Sequence, residues 1–277
     1  MMTFKAALHQ AEEALLRAGV PDAKVDAWYL IEHITGMNRA SYFLHTEDEM
    51  PAFAAEQLAG AIKLRCDRIP LQYITGSQEF MGYSFLVSPA TLILRQDTEV
   101  LVEEVSKTAQ GKSVLDLCTG TGCILLSLAK MCQLSRAVGT DISPEAIQTA
   151  IRNAERLSAE AEFYCGDLFR AVPEERFDII VSNPPYIPSE EINELMPEVK
   201  DHEPLTALDG DTDGLKFYRE IIKNADRYLK QQGKLFFEIG CEQGTAVSAL
   251  LSEAGYQDIR VIKDLAGLDR VVCATLV

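Results

Sequence analysis

The sequence predicts an α/β protein in which a small all-helical domain precedes a mostly parallel sheet. Three observations indicate this. Helical spacing of apolar residues dominates the first 69 residues, strands alternate with helices from about residue 97, and the last two strand-like segments have no helix between them. Such alternation is typical of a parallel sheet covered by helices on both faces. Strands without an intervening helix are expected to pair antiparallel at an edge.

Residues 1–70 predict a bundle of helices. The first helix begins after Thr3, a residue type that caps helix N-termini, and stops at Gly19-Val20-Pro21. Two more helices are expected at 22–34 and 51–69. Residues 71–95 are rich in aromatic and β-branched residues interrupted by glycines, and therefore predict a β-hairpin linker.

Residues 96–277 predict one domain with a seven-stranded sheet. The expected strands are 114–117, 137–141, 162–165, 177–182, 234–239, 259–263 and 270–276. The expected helices are 122–131, 144–157, 214–228 and 244–254. The last two strands are expected to form an antiparallel hairpin at one edge of the sheet.

Composition excludes several classes of protein. Apolar residues make up 47% and charged residues 25% of the chain, as in ordinary globular proteins. The seven cysteines include no Cys-x-x-Cys pair and their number is odd, which argues against a disulfide framework and a zinc ribbon. The four histidines are scattered, so no metal site is expected. With neither a leader-like N-terminus nor an apolar run of about 20 residues, the chain is expected in the reducing cytoplasm without membrane contact.

The net charge makes nucleic acid a poor default partner. The formal charge of −16 repels phosphate backbones at long range. A protein or a small molecule is therefore the expected partner, and no direct contact with nucleic acid is expected.

A glycine-containing loop follows the first strand of the sheet and opens a helix. Cys118, Thr119, Gly120, Thr121 and Gly122 form this loop. It lacks the third glycine of a dinucleotide fingerprint, because Leu125 stands there, and it lacks the Gly-Lys-Ser/Thr of a P-loop. With those two ligand types excluded, the loop is expected to bind a bulky uncharged or zwitterionic ligand. The amino acid part of S-adenosylmethionine is such a ligand.

Acidic residues end the next two strands of the sheet. Asp141 can accept hydrogen bonds from both hydroxyls of a ribose. Asp167 can accept one from an adenine amino group, and Leu168 can pack on the ring. Either acid alone is equally well explained as a turn former. Because these residues and the glycine loop end consecutive strands, together they favour a nucleoside-containing ligand at the carboxyl edge of the sheet.

The strand at 177–182 runs directly into Asn183-Pro184-Pro185-Tyr186. Two prolines end any strand, but they do not explain the flanking Asn183 and Tyr186. The Asn183 side-chain oxygen and the Pro184 carbonyl can accept both N–H bonds of a planar NH₂ group, while Tyr186 offers an aromatic face. The charge that develops on the nitrogen during methyl transfer strengthens both hydrogen bonds, so catalysis needs no strong base.

This chemistry leaves amide and nucleobase targets both open. An adenine N6 methyltransferase acting on DNA or RNA is the main alternative, although base flipping needs a positive groove and a recognition element. A non-catalytic module that kept the fold is a further alternative. The acidic charge favours a protein target.

The chain resembles the HemK/PrmC-type peptide chain release factor N5-glutamine methyltransferases, which are class I S-adenosylmethionine-dependent enzymes. The resemblance covers both predicted domains. The segments that carry it are 68–76, 92–99, 183–187, 203–215, 237–240 and 243–244. Three positions depart from the family pattern, since Leu94 stands in place of a usual Pro, and Cys118 and Asp211 stand where Gly is common.

The resemblance implies a Rossmann-like class I methyltransferase sheet and a specific reaction. The substrate is the glutamine of the Gly-Gly-Gln motif in release factors, methylated on its side-chain nitrogen. Residues 118–122, Asp141, Leu168 and Asn183 are implied to contact S-adenosylmethionine, and residues 183–186 to hold the glutamine. The helical domain is implied to help dock the release factor.

Overall fold

The structure is a computed structural model that describes residues 2–277. Its α-helices are α1 Phe4–Arg17, α2 Ala23–Thr35, α3 Arg39–Leu44, α4 Ala52–Cys66, α5 Leu71–Thr75, α6 Asp97–Ala109, α7 Cys123–Cys132, α8 Pro144–Leu157, α9 Pro197–Lys200, α10 Lys216–Ala225 and α11 Gly244–Glu253. Its strands are β1 Ser77–Phe80, β2 Tyr83–Leu86, β3 Ser113–Leu117, β4 Arg136–Asp141, β5 Glu162–Cys165, β6 Phe177–Ser182, β7 Leu229–Glu238, β8 Gln257–Lys263 and β9 Asp269–Thr275. No helix among residues 2–277 is both long and apolar enough to span a membrane.

The chain divides into two compact units. The first comprises Met1–Gly76 and Met196–His202, and the second comprises Ser77–Leu195 and Glu203–Val277. The sequence does not predict that residues 196–202 belong with the N-terminal helices. The predicted domain limits of 1–70, 71–95 and 96–277 stay predictions.

The first unit is built on an apolar core between α1, α2 and α4. Ala11, Leu15, Leu30 and Ile31 are completely buried there, and Trp28 packs edge-on against Tyr42. Thr3 caps α1, since its hydroxyl accepts a hydrogen bond from the Ala6 N–H. The helices therefore form because each presents an apolar stripe that only its neighbours can bury.

The second unit contains a seven-stranded sheet in the order β5-β4-β3-β6-β7-β9-β8. Strands β3 to β7 are parallel, while β9 is antiparallel to both β7 and β8. All five residues of β3 are buried, as expected for a strand covered on both faces. The predicted fold class, including the antiparallel edge hairpin, is confirmed.

Several elements differ from the sequence prediction. The hairpin β1–β2 is present, but the helical turn α5 precedes it inside the predicted linker. The sequence pattern assigned no helix to α3 or α6. Helix α3 has only six residues, too few to show a repeating apolar pattern. Strand β7 begins five residues earlier than predicted, because its polar first half Lys230–Gly233 hides the strand signal.

Candidate active site

A cavity of about 330 Å³ lies in the second unit at the carboxyl ends of β3, β4, β5 and β6. Parallel α/β sheets bind ligands at this edge. The predicted site residues that line the cavity are Cys118, Thr119, Gly120, Thr121, Asp141, Asp167, Leu168, Asn183 and Pro185. The predicted residues Gly122, Pro184 and Tyr186 are not part of its lining.

The glycine loop turns sharply between β3 and α7. Cys118, Gly120 and Gly122 all have positive φ, at 61°, 54° and 79°. Glycine adopts this conformation freely, whereas a residue with a side chain does so at a cost. A Cβ at Gly122 would lie 3.3 Å from the Cβ of Ala150 in α8. Gly122 therefore serves the close packing beneath the loop, while Gly120 faces the cavity.

Asp141 ties the loop to the next strand. Its Oδ2 accepts from the Gly120 N–H at 2.8 Å and its Oδ1 from the Ser143 N–H at 2.9 Å. Burial raises the pKa of Asp141, although these two N–H groups favour the charged form. Each carboxylate oxygen has a second lone pair, so the group can still accept from ribose hydroxyls.

The segment after β5 contributes both a polar and an apolar contact. Asp167 is partly exposed and pairs with Arg170 at 3.3 Å. Leu168 is 9% exposed and has a φ of 47°. A residue with a side chain adopts a positive φ only at a cost. The surrounding structure must therefore hold Leu168 in this turn beside the cavity.

The first residue of the tetrapeptide lines the cavity, and its last residue packs against the core. Asn183 lines the cavity, and its Nδ2 donates to the Thr98 hydroxyl at 3.5 Å. Pro184 and Pro185 are buried. The Tyr186 ring packs against the apolar core of the sheet, and its carbonyl accepts from Gln243 Nε2 at 2.9 Å. The arrangement holds the peptide rigidly with Asn183 at the cavity wall.

A second segment closes over the tetrapeptide. Ile187 forms a parallel bridge with Asp209, and the Gly210 N–H donates to the Ile187 carbonyl at 2.8 Å. A Cβ at Gly210 would lie 2.8 Å from the Tyr186 Cα, which only glycine avoids. This packing brings Leu205, Thr206, Ala207 and Asp209 to the cavity wall.

Asp116 is a further candidate residue that the sequence reasoning missed. It is completely buried in β3, its Oδ2 accepts from the Thr119 hydroxyl at 2.6 Å, and its Oδ1 has no protein partner among the described residues. Burial raises the pKa of Asp116 to about 7. An acid inside an otherwise apolar buried strand is the sequence signal that could have found it.

The cavity offers no reactive thiolate. Burial raises the pKa of the Cys118 thiol far above its ordinary value and that of Cys123 to about 12. Both thiols are therefore protonated at neutral pH and are poor nucleophiles. The chemistry that the cavity supports is binding and orientation.

Comparison with known proteins agrees with this geometry. Two family models match the chain, the PrmC N-terminal domain over residues 6–76 and the methyltransferase small domain over residues 93–198. A methyltransferase structure from Pyrococcus furiosus is similar with a TM-score of 0.55 at 18% identity, covering 71% of this chain and 90% of that one. This likeness shows a shared fold.

Sequence relatives define the family. The release factor glutamine methyltransferase of Geobacter sulfurreducens is 40% identical over 98% of this chain and 95% of its own length. The protein of the same name from Cereibacter sphaeroides is 40% identical over 98% of this chain and 97% of its own length. The chain belongs to the release factor glutamine methyltransferase family. The resemblance found in the sequence is thereby confirmed.

Proposed function

We propose that this protein transfers a methyl group from S-adenosylmethionine to the side-chain nitrogen of the glutamine in the Gly-Gly-Gln motif of peptide chain release factors. The observation that carries the proposal is the position of Asn183, which directly follows β6 at the wall of the cavity beside the glycine loop. Relatives that share 40% identity over almost the whole chain support the same reaction.

The residues present fit S-adenosylmethionine. The loop of residues 118–122 brings backbone and small side chains to the ligand without a charged group, which leaves room for a zwitterionic amino acid moiety. Asp141 keeps free lone pairs for ribose hydroxyls, while Asp167 and Leu168 lie at the adenine end. When bound, this cofactor supplies the methyl group.

Asn183 and Pro184 perform the orienting step. The Asn183 side-chain oxygen and the Pro184 carbonyl accept the two N–H bonds of the glutamine amide and fix the direction of its nitrogen. Both hydrogen bonds strengthen as positive charge develops on that nitrogen, so they stabilise the transition state more than the ground state. Pro185 and Tyr186 stiffen the peptide that carries them, and we propose that Tyr186 also contacts the planar amide.

The partner is a protein in this proposal. Residues 1–70 are proposed to dock the release factor, and the net charge of −16 disfavours direct contact with nucleic acid. All seven cysteines are free in the structure, which suits the cytoplasm in which the enzyme is proposed to act.

Mass spectrometry of purified release factor tests the proposal. After incubation with enzyme and S-adenosylmethionine, we expect one added methyl group on the Gly-Gly-Gln glutamine. Asn183→Ala should lower kcat by roughly a hundredfold, the effect of losing one transition-state hydrogen bond in a preorganised site. Cofactor affinity, measured by calorimetry, should stay within a few-fold.

Asn224→Ala is the matched control, because that amide caps a turn of α10 outside the cavity. It should leave methylation unchanged. Methyl transfer to adenine in nucleic acid, with unmodified release factor, would overturn the assignment.

A further inference from the structure

Glu238 lies beside Asn183 on the neighbouring strand. Strands β6 and β7 are parallel, and Ser182 pairs with Phe237 in their register. The next residue along the chain is Asn183, directly after β6, and Glu238, the last residue of β7. Adjacent residues in a parallel ladder are about 5 Å apart, so the two side chains are neighbours at the end of the sheet.

Glu238 is a buried acid without an ion pair. It is 1% exposed, and its Oε2 has no hydrogen-bond partner among the described residues. The nearby Arg270 pairs with Asp264 at 3.0 Å and with Asp97 at 3.2 Å instead. An unpaired buried carboxylate is costly, and an apolar or amide side chain would fill the same space with less penalty.

Two polar groups approach its carboxylate. The Thr98 hydroxyl and the Asn183 amide lie close enough to favour the charged form by hydrogen bonding, although burial raises the pKa of Glu238 to about 7. The same Thr98 hydroxyl lies 3.5 Å from Asn183 Nδ2. Glu238, Thr98 and Asn183 thus form one polar cluster at the cavity wall, in which Glu238 and Thr98 are buried.

A carboxylate accepts hydrogen bonds and cannot donate them. When Glu238 is ionised, the half of the Asn183 amide that faces it is therefore the NH₂ group, which also donates to the Thr98 hydroxyl, and the Oδ1 atom faces the other way. With the amide reversed, two lone-pair groups would meet inside the protein and an NH₂ donor would face the donors of the substrate amide. Both changes would lose hydrogen bonds.

We propose that Glu238 is a positioning residue, which holds the Asn183 NH₂ group so that Oδ1 is presented to the amide N–H of the substrate. The inference rests on the proposed function, because it assigns Asn183 Oδ1 a substrate N–H to accept. Thr98 acts with Glu238 by sharing the same NH₂ group.

A double-mutant cycle tests this role. Glu238→Leu removes the acceptor and should lower kcat about tenfold, the size of one net hydrogen bond, with cofactor affinity nearly unchanged. Glu238→Gln should fall between wild type and Glu238→Leu, because a glutamine can still accept but no longer enforces one orientation. In the Asn183→Ala background both substitutions should have no further effect, since Glu238 acts through Asn183. Full additivity would overturn the proposal.

A second measurement needs no substrate. The side-chain NH₂ resonances of Asn183, assigned by their loss in Asn183→Ala, should exchange with solvent slowly in wild type and at least tenfold faster in Glu238→Leu. Unchanged exchange would overturn the positioning role even if release factor is methylated. Altered exchange in an enzyme that does not methylate release factor would instead refute the proposed function. Glu242→Gln, an exposed acid just beyond β7, is the control for both measurements.

Discussion

Glu198 lies at the centre of a buried charge cluster in the first unit. Arg65 Nη2 donates to its Oε1 at 2.7 Å, and Arg68 donates through Nε at 2.8 Å and Nη2 at 2.5 Å. Arg65 also donates to Asp26 at 2.7 Å. The side chains of Arg65 and Glu198 are only 6% and 11% exposed, so solvent does not replace these contacts. Charged pairs this buried depend strongly on each partner.

The pKa of Glu198 gives the size of its contribution to the stability of the first unit. Burial opposes its charge, but hydrogen bonds from Arg68 and Arg65 outweigh burial and lower the pKa from 4.5 to about 2. A shift of that size corresponds to about 3 kcal/mol, at about 1.4 kcal/mol per pKa unit. Because the folded-state pKa is lower than that of the unfolded chain, this stability is fully present above pH 4.5 and is lost as the pH falls toward 2.

We therefore expect Glu198→Gln to lower the free energy of unfolding of the first unit by about 3 kcal/mol at pH 7. Urea titration followed by tryptophan fluorescence measures this unit alone, because Trp28 is the single tryptophan of the chain. The difference from wild type should shrink at pH 3. Glu194→Gln, at an exposed position four residues earlier, is the control. A Glu198→Gln protein as stable as this control at pH 7 would refute the reasoning.

Two further substitutions test the second unit. Asp141→Asn should raise the Kd for S-adenosylmethionine about tenfold, because it weakens the acceptors for both the ribose hydroxyls and the Gly120 N–H. Calorimetry measures this Kd. An unchanged Kd would contradict the ribose contact. Gly214→Ala should destabilise the protein by at least about 1–2 kcal/mol, since its φ is 70° and a Cβ would clash with the Tyr186 carbonyl oxygen. Thermal melts measure the loss, and Gly60→Ala, with open space around its Cβ, should instead leave stability equal or higher.

Elements with strong local signals were predictable from the sequence. Helix α8 begins at Pro144 and ends at Leu157 as predicted, because Ser143 caps it and proline suits its first turn. The bounds of β5 and β6 also agree, since turn residues flank each of these strands. The nine predicted residues that line the cavity could be found because they directly follow strands or open a helix.

Residues that reach a site from segments distant in the sequence could not be predicted from local patterns. Thr98 and Arg95 reach the cavity from α6 and the segment before it, and Leu205 to Ala207 reach it because Ile187 pairs with Asp209. Glu198 joins Arg65 across 133 positions of the chain. Local periodicity carries no information about such contacts, which depend on how the segments pack.

Two of the three departures from the family pattern have a backbone explanation. Cys118 and Asp211 stand where the family often has glycine, and their φ values are 61° and 71°. The chain thus needs a left-handed conformation at both positions whether or not glycine is present. Asp211 offsets the strain with local contacts, since its Oδ1 accepts from the Thr212 N–H at 2.8 Å and its Oδ2 pairs with Lys216 at 3.0 Å. Glycine is therefore dispensable where a side chain stabilises the same turn.

Buried acidic residues are a further sequence feature of the end of the sheet at which Asn183 lies. Strand β6, which Asn183 directly follows, lies between β3 and β7, and each of these two neighbouring strands buries one acid, Asp116 in β3 and Glu238 in β7. Burial raises the pKa of each to about 7. A strand covered on both faces tolerates a carboxyl group only where polar neighbours hold it. An acid within an apolar strand pattern therefore marks the same end of the sheet as the tetrapeptide does.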